Sequence, residues 1–233
     1  VLGGSRRGRR LAASVATAAT AFAAAAATAG CSAAPPGIAA VAPRLVLVST
    51  DPEGGRDERL SLFASVSDGD GVADIEYLYV VHDGEELCWS LTPENWRRSD
   101  EGAGVWIGAN SLDAPGPAIP RGAYRVIAVD MAGERAELSF SLSAPETSAY
   151  DPPRARLSGT AIALDSGYPS NTAFFYDSGG NVAHTASISN GETPLDTLWP
   201  EGRWRSGSDY VAVYGFEPKA EIGFFSWKIR LPD

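Results

Sequence analysis

The sequence predicts an all-β protein: a β-sandwich followed by a second, smaller β-rich domain. Three observations carry that expectation. From residue 44 onward apolar residues alternate with polar ones. The alternating runs are short and broken by Gly, Pro, Asp and Asn, and no stretch shows helical spacing.

Residues 1–30 stand apart from everything after them. Arg6, Arg7, Arg9 and Arg10 form a cationic start, residues 11–29 contain only Ala, Thr, Val, Ser, Leu and Phe, and small residues lead into Cys31. This is the tripartite layout of a secretory signal peptide. A retained membrane helix is the weaker reading, because Ala and Thr supply little burial free energy. An ordinary cleaved signal would leave a solitary thiol at the new terminus of an exported protein. Ala29, Gly30 and Cys31 resemble the box of a bacterial lipoprotein signal, with Thr28 where Leu is commonest. That resemblance implies acylation of Cys31, attachment to a membrane through the lipid, and a place in the bacterial cell envelope. Ser32 is compatible with outer-membrane sorting, with the folded part either periplasmic or surface-exposed. Ser5-Arg6-Arg7 also resembles a twin-arginine signal. Residues 31–43, rich in Ala and Pro, read as a flexible tether.

The first folded block spans 44–144. Leu60, Leu62, Ala64 and Val66 alternate with Ser61, Phe63, Ser65 and Ser67, and Ala136, Leu138, Phe140 and Leu142 alternate with Arg135, Glu137, Ser139 and Ser141. Further strands are expected at 44–50, 73–82, 85–91, 104–109 and 122–130. Seven short strands in about 100 residues describe a β-sandwich. The turn Ser67-Asp68-Gly69-Asp70-Gly71-Val72-Ala73-Asp74-Ile75 resembles the link between the second and third strands of bacterial immunoglobulin-like or fibronectin type III-like domains. Pro120-Arg121-Gly122-Ala123-Tyr124, running to Asp130-Met131-Ala132-Gly133, resembles their final hairpin. The resemblance implies a corner pinned by the hydroxyl of Tyr124. It departs from antibody domains in lacking a cysteine pair, since Cys88 has no partner once Cys31 is lipidated.

Residues 145–155, with Pro145, Pro152 and Pro153, read as a linker. The second domain, 156–233, is expected to hold strands at 156–164, 173–176, 182–188, 203–205, 210–216 and 222–231. Asp177 to Asn181 is a hairpin turn, and the closing strand places Phe225, Trp227, Ile229 and Leu231 on one face. The block is either a small sandwich of its own or the completion of a larger sheet system.

Charge and composition bound the function. The chain has 29 acidic and 19 basic residues and a net charge of −10. Residues 1–30 hold four arginines and no acid, so the chain from Cys31 onward carries −14. Such a body is a poor partner for nucleic acid and for anionic headgroups, so membrane contact is expected from the anchor alone. Cys31, Cys88, His82 and His184 are the only thiols and imidazoles, too few for a thiolate or imidazole metal cluster. Asp68, Asp70 and Asp74, helped by Asp83, offer hard oxygens to Ca²⁺. The same Asp-Gly spacing also simply builds a tight turn. His184 keeps step with Val182, Ala186 and Ile188 and reads as structural, while His82 reads as facing solvent. No Gly-x-Ser-x-Gly elbow is present, and no catalytic residues, organic cofactor or enzymatic activity are expected. Trp96 with Arg97, and Trp199, lie in polar or turn-rich segments and are candidates for contact with a protein partner or for stacking on a sugar, while each also reads as a cap on the end of a sandwich. The expected function is therefore a lipid-anchored envelope lipoprotein acting as a non-catalytic binding or scaffolding module. The alternatives are an envelope enzyme acting on glycan or peptide through the clustered aspartates, and a calcium-stabilised spacer.

Overall fold

The computed structural model describes residues 34–100 and 104–232. The signal segment and Cys31 lie outside the described residues. The first eight strands are β1 (Gly37–Ser49), β2 (Arg56–Ser67), β3 (Ile75–His82), β4 (Leu87–Leu91), β5 (Arg97–Ser99), β6 (Val105–Leu112), β7 (Gly122–Asp130) and β8 (Arg135–Leu142). The remainder comprises β9 (Arg154–Ser158), β10 (Ala161–Asp165), β11 (Asn171–Tyr176), β12 (Val182–Ile188), β13 (Gly191–Pro194), the short helices α1 (Leu195–Leu198) and α2 (Arg203–Gly207), β14 (Tyr210–Glu217), β15 (Ile222–Phe225) and β16 (Ile229–Arg230). The protein is all-β, as its alternation predicts.

Strands β4-β3-β7-β8 form one sheet and face β1-β2-β6-β5 of another. With β4 set aside as an added edge strand and the other seven counted in chain order, this is the arrangement of an immunoglobulin-type sandwich, the first, second, fifth and fourth strands opposite the third, sixth and seventh, namely β1-β2-β6-β5 against β3-β7-β8. The alternation in β2 explains it: Leu60, Leu62, Ala64 and Val66 are all buried, against Leu78, Val80, Val126 and Ala128 of the facing sheet. The hydroxyl of Tyr124 donates to the carbonyl of Pro120 at 2.7 Å, so the corner is pinned as expected. Burial pushes that hydroxyl up to about 12.

Several expectations change. Strand β1 starts at Gly37, pairing with Ser67, so 37–43 is sheet and not tether. Ile38 and Val41 rest on the first core and anchor it there, a signal masked by the surrounding Ala and Pro. The segment 145–155 is not a free linker either. Thr147 is buried and donates to Glu58, Arg121 binds the carbonyls of Ala144 and Pro145, and Arg56 binds the Tyr150 carbonyl and the Asp151 carboxylate. His82 does not face solvent: it is 6% exposed, edge-on to Tyr124. Its Nδ1 accepts from the Glu85 N–H, which assigns the ring proton to Nε2, donated to the Arg121 carbonyl. Cys88 is exposed and has no disulfide partner among the described residues.

The two blocks share a sheet. Strand β15 runs parallel to β1, with Leu45 opposite Ile222 and Leu47 opposite Phe224. A nine-stranded sheet therefore runs β12-β11-β14-β15-β1-β2-β6-β5, with β16 also on β14. Ile222 and Phe224 belong to the first core. A second core, with Ile162, Phe175, Trp204, Val211 and Val213, lies beneath the small sheet β13-β10-β9. The expected strand at 156–164 is a hairpin turned at Gly159, whose φ of 58° suits glycine. The expected strand at 203–205 is helix α2, which delivers Trp204 to the core. The closing strand is broken at Ser226, whose N–H donates to the Val213 carbonyl while its hydroxyl accepts from the Val213 N–H. That jog separates Phe225 from Ile229 and Leu231, which enter the second core.

Candidate interaction surface

The face of the nine-stranded sheet turned away from both cores is aromatic. Pleating sends Ala173 and Phe175 of β11 inward and Phe174 outward; Val211 and Val213 of β14 go inward, Tyr214 and Phe216 outward. Phe225 opposes Tyr214 in the β14–β15 ladder and so shares that face. The ring of Phe225 lies 4.9 Å from Tyr214 and 5.3 Å from Phe174, the latter edge-on. Tyr214 lies flat across Gly223, where an added Cβ would come within 2.5 Å of the ring. Arg44 of β1 stands over Phe216 at 4.7 Å, a cation–π contact. All four rings are partly exposed. Burial raises the Tyr214 hydroxyl above its ordinary value, against the lowering effect of Arg44. It stays protonated at neutral pH and presents a donor at the edge of an apolar patch.

This patch was missed in the sequence, although a signal was there. Phe174-Phe175-Tyr176 and Phe224-Phe225 put aromatics at adjacent strand positions, so both faces of the sheet must be apolar. One face serves the cores, and the second is left for another role.

The partner-binding candidates fall elsewhere. Trp96 is half-buried against the first core in the turn after β4, with Arg97 exposed on β5. Trp199 stacks on His184 at 4.6 Å and meets Phe175 edge-on, against the second core. The two tryptophans thus support different cores and do not make one patch. His184 also places Nε2 on the Leu198 carbonyl at 3.0 Å.

Asp68, Asp70 and Asp74 do converge in the turn between β2 and β3, each offering an oxygen within 4.8 Å of the others. Asp68 Oδ1 accepts from the Asp70 N–H, whereas Oδ2 is shielded from water and has no hydrogen-bond partner. Partial burial and the neighbouring charges of Asp68, Asp130 and Asp70 raise the Asp74 carboxyl above its ordinary value. Asp83 does not join them. It is held in a two-toothed pair by Arg125 at 2.7 and 2.8 Å, whose hydrogen bonds lower its pKa.

A cleft of about 850 Å³ opens between the β1–β2 turn and the β9–β10 hairpin, beside Trp227. Arg56, Arg154 and Arg156 line it together with Asp51, Glu53, Asp165 and Glu192, so both signs of charge meet there. A second, of about 470 Å³, lies by Arg44, Tyr150 and Lys219. The clustered aspartates line neither of these two clefts.

No protein-family model matches the chain, and no curated protein does. Among solved structures it is similar to dimeric latent PorU from Porphyromonas gingivalis, at 16% identity and a TM-score of 0.33 over 84% of this chain and 20% of that one. It is also similar to the BSP domain of a biofilm associated protein, at 16% identity and a TM-score of 0.27 over 83% of this chain and 30% of that one. The chain spans less than a third of either.

Proposed function

We propose that this chain is a cell-envelope lipoprotein, anchored through Cys31, whose folded part is a non-catalytic binding or scaffolding module for a protein partner. One observation supports this above the others: the outer aromatic patch of Phe174, Tyr214, Phe216 and Phe225 with Arg44 beside it. Aromatic residues and arginine are the side chains enriched where protein interfaces concentrate their energy. The patch lies on rigid strands, so little conformational entropy is lost on docking.

The test has two arms. Cross-linking in the native envelope, with wild type compared against Tyr214→Ser/Phe225→Ser, is expected to give a specific adduct that the double variant loses at least about tenfold. An adduct of equal yield from both proteins would overturn the assignment of this face. Membrane fractionation with Cys31→Ser, together with mass spectrometry of the amino terminus, tests the anchor separately. An unmodified terminus on wild type would remove it.

The orphaned Asp68 Oδ2 supports a second reading, in which Ca²⁺ bound at Asp68, Asp70 and Asp74 stiffens the β2–β3 turn. Millimolar Ca²⁺ is then expected to raise the melting temperature of wild type and not that of Asp68→Asn/Asp70→Asn. An identical response from both proteins would discard it.

A further inference from the structure

A sheet edge that is left unguarded is an invitation to pair, because its outward N–H and C=O groups lack partners. Most free edges here carry guards: β8 has Arg135 and Glu137, β5 has Arg97 and Arg98, β9 has Arg154 and Arg156, and β13 has Glu192 and Pro194. The short β4 is uncharged but follows Glu85 and Glu86 directly. Strand β12 is different. Its seven residues, Val-Ala-His-Thr-Ala-Ser-Ile, include no Asp, Glu, Lys, Arg or Pro. It ends the nine-stranded sheet, and among the described residues its backbone bonds only to β11. The bulge opposite Phe175 and Tyr176 perturbs only its start and leaves His184–Ile188 in regular pairing.

We infer that this edge is a self-association site, at which β12 of a second copy adds antiparallel and continues the sheet from one molecule into the other. Charge decides the occupant. Two bodies of the same net negative sign repel at most surfaces, and β12 is the long edge at which an identical strand meets no like charge. An antiparallel pair of identical strands is two-fold symmetric and closes as a dimer. With Ala186 on the axis, Thr185 of each copy faces Ser187 of the other, two hydroxyl pairs of the kind that stabilise cross-strand contacts. A foreign peptide added to an edge draws its specificity from pockets for alternate side chains. Neither of the two clefts described includes a β12 residue, and the outward Thr185 and Ser187 are small, so recognition at this edge rests on the main chain and those hydroxyls, which an identical strand satisfies.

The experiment is sedimentation velocity on the full chain carrying Cys31→Ser, under reducing conditions and over a concentration series. A monomer–dimer equilibrium is expected. Thr185→Lys/Ser187→Lys, which sets lysine against lysine across the axis, is expected to weaken it at least about tenfold. Ser90→Lys/Ser139→Lys, the same added charge on the opposite sheet, is expected to leave it unchanged. Amide exchange on the unaltered strand gives an independent reading: outward β12 amides should gain protection as concentration rises. A monomer at every concentration, equal weakening by both lysine pairs, or β12 amides indifferent to concentration would each overturn the inference. None of these outcomes bears on the aromatic patch, which is tested separately.

Discussion

Replacing Glu58 by Ala is expected to lower folding stability by about 3 kcal/mol, because it leaves the half-buried Arg121 cation and the buried donors around it without their acceptor. Glu58 is 5% exposed. Its Oε2 accepts from the Ile119 N–H at 2.8 Å and from Arg121 at 2.7 Å, and its Oε1 accepts from Arg121 at 3.0 Å and from Thr147 at 2.7 Å. One carboxylate thus ties β2 to the approach to β7 and to the segment that leads out of the first sandwich. The Arg121 side chain keeps 24% of its surface in water, which holds the expected loss below that of a fully buried pair. Equilibrium denaturation checks it, and a loss under about 1 kcal/mol would show that the network is dispensable.

The same network has a pH signature. Burial raises the Glu58 carboxyl, but the hydrogen bonds from Arg121, Thr147 and the Ile119 N–H outweigh it, and the net shift is downward from 4.5. A depressed folded-state pKa means stability that is present above the unfolded value and lost as pH falls through the folded one. The stability gap between wild type and Glu58→Gln is therefore expected to hold at neutral pH and to shrink with acidification below about pH 4.5. A gap independent of pH would contradict the assignment.

Trp204→Ala is expected to cost about 3–5 kcal/mol, through a different mechanism, the cavity left by a large buried ring. Trp204 is fully buried and its indole N–H donates to Asp196 at 2.9 Å, joining α2 to α1. The damage should centre on the second core. Amide exchange is expected to accelerate in β10, β11 and β14 while β3 and β7, which line the first core, stay protected. Uniform acceleration would mean that the β1–β15 pairing fuses both cores into one cooperative unit.

The regular strands were legible because one face of each meets a core and the other meets water. Strands β7 and β12 have the bounds their alternation predicts. The helix α2 was not legible, since a turn and a half centred on one buried Trp is too short to show a helical period. Nor was β5, three residues long. Of the candidate residues, the aspartate cluster was visible as a spacing in a single turn. The aromatic patch was hidden because its members come from β11, β14 and β15, and adjacent aromatics in a strand do not say which face is covered.

Chain chemistry alone determined the strand class and the regular strands of the first sandwich, since these depend on alternation along single strands; the Tyr124 corner came from the resemblance to immunoglobulin-like domains. Only the tertiary structure decided that β1 extends back to Gly37, that β15 docks parallel on β1, and that Glu58 meets Arg121 and Thr147. Such pairings join distant parts of the chain through backbone ladders and buried charge. Their partners are set by which surfaces are left to cover once the local strands have formed, and that choice leaves no periodic mark on the sequence.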